Sequence, residues 1–366
     1  MTGKCHLLLA VVGVLLVNSC SSPTQSHKKD LPDFKIQSLT SPENEISFLI
    51  ITDQECLAAA QEYANYRHKS SGKPVGVCTY DEVNELFSDP VSPVRKMLSY
   101  ASESWSIAPR HVFLIGLFDK IHSPTAYDMD SFIADFNGDY TLDVALGRLP
   151  TTSDDTVRLY LQKVKDFESR FKGRYLFVAD DSCVLGKSDI EFFDFENRIR
   201  KMISKYETSY IDTFYLSKYT HLCDTSELGL ARKELLMSLN SEPSIVTFFG
   251  HHNSQTIFDE DMLESATFNQ LSVPNLYISG MLLDNFETPS LARDLLFRSE
   301  NGAVAILPFT QETNVTRWEF ALNRILAQYI IENDKTIGLL MQNSIGRSNH
   351  RHQLQLTLLG DPAIKL

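Results

Sequence analysis

Two strand-like apolar runs end on the residues whose types could do acid–base or nucleophilic chemistry. Gly250-His251-His252 follows Ile245-Val246-Thr247-Phe248-Phe249, and Pro274-Asn275-Leu276-Tyr277-Ile278-Ser279-Gly280 runs into Met281. As adjacent parallel strands, they would set His251 and residue 281 side by side at their carboxyl ends, where open α/β sheets keep their sites. An imidazole there can serve as a general base. A cysteine at residue 281 would be activated by it, but the Met281 thioether has no proton to lose and no thiolate form. Ser279, two residues earlier, would share a strand face with residue 281 while lying about 7 Å deeper toward the sheet. His251 and His252 could serve one metal ion only where the strand has already ended, because neighbouring strand side chains point to opposite faces. Asp259, Glu260 and Asp261 offer carboxylates nearby, yet no His-x-x-x-His spacing supports zinc.

A second cluster lies in Asp135-Phe136-Asn137-Gly138-Asp139, followed by Asp143. Asp135, Asn137 and Asp139 present oxygen donors at alternating positions, as a hard cation such as calcium requires. The loop is not an EF-hand, since Gly138 takes the fourth place rather than the sixth and no Glu closes it. The alternative is a turn in which Asn137-Gly138 supplies positive φ and the carboxylates are solvated. His350-Arg351-His352 reads as a polar surface loop.

The two strand ends resemble the gingipain family of cysteine peptidases, which carries Gly-His-Gly at the end of one strand and the nucleophilic Cys at the end of the next. Counted from Pro274, the Cys position falls on Met281, and Phe286 and Pro289-Ser290-Leu291-Ala292 continue the pattern. The likeness extends to the acidic loop with Asp143-Val144-Ala145-Leu146-Gly147-Arg148-Leu149-Pro150, to Lys163 through Phe167-Glu168, and to the closing Leu358-Leu359-Gly360-Asp361-Pro362-Ala363-Ile364-Lys365-Leu366. The resemblance implies a caspase-like fold in which His251 is the catalytic imidazole and Asp143 its orienting acid, in the manner of a triad. Two departures matter. Met281 replaces the nucleophile, and His252 replaces the glycine whose backbone N–H would help bind the oxyanion.

The elements that must position these residues alternate between apolar strands and amphipathic helices, the pattern of a three-layer α/β/α fold with a mostly parallel sheet. Strands are expected over 46–52, 75–79, 111–117, 143–146, 174–179, 210–216, at the two site runs, and over 302–308. Helices are expected over 54–68, 153–171, 190–206, 228–239, 291–297 and 318–333. Either residues 45–172 and 173–366 form two lobes meeting near Gly173, the second carrying the site, or one sheet is continuous. With 366 residues and 43% hydrophobic content, the chain can bury a sizeable core. The net charge of -13 and the lack of clustered Lys and Arg argue against a nucleic-acid partner.

Lys4 precedes the apolar run Leu7 to Val17, which is too short to span a bilayer but suits a signal-peptide core. It ends in Val17-Asn18-Ser19-Cys20, which resembles a bacterial lipobox. Residues 1–19 are therefore expected to be a lipoprotein signal peptide, Cys20 the lipidated residue, and 20–44 a flexible tether rich in Ser, Pro, Gln and Lys. An ordinary secretory signal cut nearby, or an uncleaved anchor, is the alternative. Cys56, Cys78, Cys183 and Cys223 would remain; Cys56 and Cys78 read as buried small apolar residues, and no disulfide pairing follows from the spacing.

These readings together describe a membrane-anchored, gingipain-like domain of the bacterial envelope, expected at the outer membrane. It would have lost its chemistry and would use the cleft to bind a polypeptide or envelope protein. The alternatives are an active cysteine endopeptidase in which Cys183 or Cys223 approaches His251 from elsewhere in the fold, and a calcium-stabilised structural lipoprotein with no functional cleft.

Overall fold

Five-residue runs without a polar interruption, such as Phe48-Leu49-Ile50-Ile51-Thr52, bury every side chain, as strands covered on both faces must. The computed structural model describes residues 32–121, 130–181, 183–184, 187–188, 204, 211–220, 224–241, 245–250, 256–257, 262–271, 274–282, 290–298, 301–309, 315–331, 335–344 and 356–366. Its main sheet has ten strands: β1 (Phe48–Thr52), β2 (Val75–Thr79), β3 (His111–Ile115), β4 (Ala145–Leu149), β5 (Tyr175–Ala179), β6 (Ile211–Tyr215), β7 (Ile245–Phe249), β8 (Pro274–Leu282), β9 (Gly302–Phe309) and β10 (Leu359–Gly360). In space they run β2-β1-β3-β4-β10-β9-β8-β7-β5-β6. All neighbours in this sheet pair in parallel except β9 and β10.

That one antiparallel pairing fixes the architecture. Strands β1 to β4 run one way and β5 to β9 the other, so the amino end of β4 and the carboxyl ends of β7 and β8 share one edge of the sheet. Residues Pro32–Leu366 form one compact unit. The sheet is continuous across residues 45–172 and 173–366, and Gly173 marks the passage from one half to the other.

Helices cover the sheet: α1 (Leu57–Ser71), α2 (Tyr80–Leu86), α3 (Pro93–Ser104), α4 (Asp130–Ala134), α5 (Asp154–Arg170), α6 (Leu228–Asn240), α7 (Ser265–Phe268), α8 (Leu291–Phe297), α9 (Val315–Ile331) and α10 (Ile337–Ser344). Their ends are set by local chemistry. Thr79 and Glu82 form a reciprocal capping box on α2, and Ser92, Ser153 and Ser290 cap α3, α5 and α8. The expected helix over 190–206 lies outside the described residues, apart from Ser204. The strand expected over 143–146 instead spans Ala145–Leu149, because Asp143 closes the preceding acidic loop. Packing also starts well before residue 45: Phe34 donates its N–H to Gln61, Ile36 to the Val77 carbonyl, and Leu39 is buried.

The closing Leu-Gly-Asp-Pro segment is the wedge between the two halves. A Cβ on Gly147 would lie 2.3 Å from the Gly360 carbonyl oxygen, so β4 and β10 approach this closely only with glycine at 147. Asp361, fully buried, accepts from Tyr63 Oη and Arg67 Nε at 2.5 Å each. Arg67 also donates to Glu168 at 2.8 Å, and Tyr66 bonds the same carboxylate. The Asp361 N–H donates to Tyr160 Oη, which donates in turn to the Val304 carbonyl. Asp361 thereby ties β10 to α1 through its carboxylate, and to α5 and β9 through its N–H and Tyr160. The Gly-Arg-x-Pro strand end has a similar role: buried Arg148 makes a two-point pair with Asp130 at 2.6 and 2.7 Å and donates to the Gly116, Leu117 and Ile121 carbonyls.

Two stability outcomes follow. Arg67→Met or Asp361→Leu, each leaving a buried partner exposed to nothing but protein, should cost about 3 kcal/mol or more in urea unfolding, and the double variant less than the sum of the two. Lys163 supplies a pH dependence. Its ammonium donates to the Leu296 and Arg298 carbonyls at the carboxyl end of α8, and burial pushes it down to about 7 from an ordinary 10.5. Between these values the unfolded chain holds a proton that the folded chain has released, so stability rises with pH across that window. In Lys163→Met, unfolding free energy measured from pH 7 to 10 should rise less steeply than in the parent.

Candidate functional site

The two apolar runs of the sequence are neighbouring parallel strands. Ile245, Val246, Thr247 and Phe248 of β7 pair with Leu276, Tyr277, Ile278 and Ser279 of β8. Both run toward the same edge, so Gly250 and Met281 emerge from adjacent strands at their carboxyl ends. His251, His252 and the carboxylates at 259–261 lie outside the described residues, as does Phe286. Beneath this edge the strands are locked by rings: Phe248 stacks on Tyr277 at 5.7 Å, and Phe268 meets the same ring edge-on.

The strand carrying Met281 is irregular where it reaches the edge. Against β9, Ile278 pairs with Leu307 and Leu282 with Phe309, so four steps of β8 face two of its neighbour. Such bulges recur beside active sites, where they re-aim a side chain.

A further strand completes the corner. β5 flanks β7 on the other side, Ala179 pairing with Phe249, and the Asp180 N–H donates to the Phe249 carbonyl at 2.9 Å. Chain order reverses here, since β5 is followed by β6 on one side and β7 on the other. Crevices of this kind, at a switch point outside carboxyl strand ends, are where α/β sheets bind ligands. Asp180 and Asp181 fill it, each only 2% exposed. Sequence reasoning gave these acids no role, although their place directly after an apolar run was visible. A Cβ on Gly250 would lie 2.2 Å from Asp180 Cβ and 2.7 Å from its Oδ2, which is why the residue before His251 is glycine.

Asp143 stands on the same edge of the sheet, and His251, the imidazole the resemblance pairs it with, lies outside the described residues. Asp143 precedes β4, which is four strand spacings from β7, or about 19 Å at ~4.8 Å each. Its carboxylate is occupied locally, accepting from the Phe136 and Asn137 backbone N–H groups at 2.9 and 3.1 Å and from Asn137 Nδ2 at 2.8 Å. Burial raises its pKa above the ordinary carboxylate value, against those hydrogen bonds and with the charges of Asp135 and Asp139 adding to the rise.

The rest of the acidic loop is a nest of side-chain turns. Asp135, 3% exposed, accepts from the N–H groups of Gly138, Asp139 and Tyr140; Asn137 Oδ1 accepts from the Asp139 N–H, and Asp139 Oδ1 from the Thr141 N–H. Gly138 and Tyr140 take φ of 80° and 66°. The oxygens proposed for calcium thus face N–H donors, and among the described residues no three His, Cys, Asp or Glu side chains converge as metal ligands.

The cysteines divide. Cys56 and Cys78 are buried free thiols, with burial pushing Cys56 up to about 12 and Cys78 higher, so neither is a nucleophile. Cys183 lies just past β5 in a short hairpin with Lys187–Ser188, on the carboxyl edge. Cys223 and Cys20 lie outside the described residues.

Peptidase family C25 matches residues 41–366. The chain belongs to this family. The crystal structure of the Arg-specific cysteine proteinase gingipain R (RGPB) superposes with a TM-score of 0.68 at 18% identity, covering 90% of this chain and 79% of the other. The complex of Porphyromonas gingivalis RgpB pro- and mature domains gives 0.68 at 17% identity, covering 87% and 79%. A further solved protease gives 0.66 at 14%, covering 89% and 79%. These likenesses establish the gingipain-like, caspase-like α/β fold. No curated protein sequence matched the chain.

Within this C25 fold, the Gly250–Asp180 contact leaves no space for a side chain. Gly250→Ala should lower stability by about 1–3 kcal/mol, read as a drop in unfolding midpoint, through overpacking of β5 against β7.

Proposed function

We propose that this family C25 domain is a non-hydrolytic relative that keeps the cleft at the ends of β5, β7 and β8 for binding a polypeptide of the bacterial envelope. The observation that carries the reading is Met281 itself: it is the penultimate residue of β8, the strand beside β7, at the place where the resemblance puts the nucleophile, and a thioether cannot form an acyl-enzyme. Removing the nucleophile of such a unit costs on the order of a millionfold in turnover. His251 then has no thiol to deprotonate. The lipobox-like Val17-Asn18-Ser19-Cys20 supports attachment at Cys20, with the residues up to about Phe34 as the link to the outer-membrane surface. Calcium in the acidic loop would require Asp135, Asn137 and Asp139 to exchange backbone N–H partners for the ion.

Cys183 supports a second reading. Its backbone stands on the carboxyl edge beyond β5, the strand next to β7, so an active endopeptidase would draw its thiolate from there.

Incubation with a thiol-directed peptidyl inhibitor, followed by intact mass and a peptide-cleavage assay, separates the two. The proposed reading expects an unlabelled protein and no cleavage. Stoichiometric labelling with cleavage, both lost in Cys183→Ser, would overturn it in favour of the displaced nucleophile.

A further inference from the structure

A cavity of about 730 Å³ opens on the opposite edge of the sheet, between α5 and α8. Its walls come from the carboxyl ends of β3 and β4, at Leu117 and Pro150 to Thr152, and from the segments entering β8 and β9, at Asn269 and Arg298. Seven residues of β8 separate this edge from Met281, about 23 Å at ~3.3 Å per residue. It is thus distinct from the cleft at β7, and nothing below rests on the reading of Met281.

The lining carries three basic side chains and one acidic one. In a protein of net charge -13, Arg293 and Arg298 face the cavity with Asp294 as the acidic counterpart, and Lys163 lies at its floor with its ammonium turned to the Leu296 and Arg298 carbonyls. Asn269 Oδ1 accepts from Arg298 Nη1 and so orients that guanidinium. Guanidinium groups suit planar carboxylates, which they can engage through two parallel hydrogen bonds. Beside them stands an apolar wall: Phe297 is partly buried, and Leu159, 52% exposed, is among the large apolar side chains left open to solvent. The volume is that of a pocket for a small ligand or a few residues of chain.

We propose that this cavity is a second binding site, which takes the free carboxyl terminus of a polypeptide whose last side chain is apolar. The carboxylate is held by Arg293 and Arg298, and the terminal side chain packs on Leu159 and Phe297. The Asp294 carboxylate and the hydroxyls of Thr152 and Thr156, which also line the cavity, accept from the backbone N–H groups of the last residues. That acceptor set distinguishes a peptide end from a fatty acid, which has a carboxylate and an apolar tail but no N–H to offer.

Calorimetric titration of the full chain with N-acetyl-Ala-Leu as the free acid, with the same dipeptide as its amide, and with octanoate tests this. The free acid should bind at least about tenfold more tightly than either of the others, the amide losing the charge-assisted contacts and octanoate the N–H contacts. Arg293→Gln should weaken the free acid at least about tenfold, and Leu159→Ser should weaken it too. Both positions are partly open to solvent, so the unfolding midpoint should stay at its parent value. Equal affinity for acid and amide, octanoate binding as tightly as the dipeptide, no heat of binding from the free acid, or an Arg293→Gln variant that binds normally would each overturn the proposal.

Discussion

Asp361 is the point on which the fold turns. Parallel strands accumulate in two sets, and each set alone would leave an open edge of unpaired backbone groups. Two residues of β10 close both edges together, parallel to β4 and antiparallel to β9. So short a strand cannot hold that position through backbone bonds alone; the carboxylate of the next residue does, through Tyr63 and Arg67 on α1, while its N–H reaches Tyr160 on α5. Burying that charge is costly unless it is paired and fully hydrogen-bonded, and here both conditions are met.

The antiparallel relation of the halves also decides where chemistry can gather. Because β4 runs against β7 and β8, the acidic loop before β4 and the carboxyl ends of β7 and β8 meet on one edge, while the carboxyl ends of β3 and β4 meet the amino ends of β8 and β9 on the other. One edge holds Asp180, Asp181, Gly250 and Met281, the other Arg293 and Arg298. The sheet therefore separates an acidic corner from a basic cavity across the length of a strand.

Much of this was legible in the sequence, for physical reasons that differ by element. The strands at 75–79 and 245–249 are uninterrupted apolar runs, and helix 291–297 follows a serine cap, so period and capping suffice. Pairing of β7 with β8 followed from the resemblance. Helices α3 and α10 were not anticipated, and neither was the role of β10, whose two residues carry no period at all; only its tertiary partners make it a strand. Burial of Asp180 and Asp181 was invisible for a related reason, since an acid after a strand reads as solvated until the neighbouring chain is known. Asp143 shows another limit: the motif match paired it with His251, which lies outside the described residues, and the local N–H donors of Phe136 and Asn137 that its carboxylate meets could not be read from the spacing.

The proposed reading is that the nucleophile is lost at Met281, with His252 as the second departure, while the scaffold around them is retained. Restoring a thiol at that position with Met281→Cys, and comparing its alkylation by a thiol-directed peptidyl inhibitor with that of the parent chain, tests it most directly. The account predicts stoichiometric modification mapped to position 281 in the variant and none in the parent. A parent chain modified as fast as the variant, at any cysteine, would contradict it.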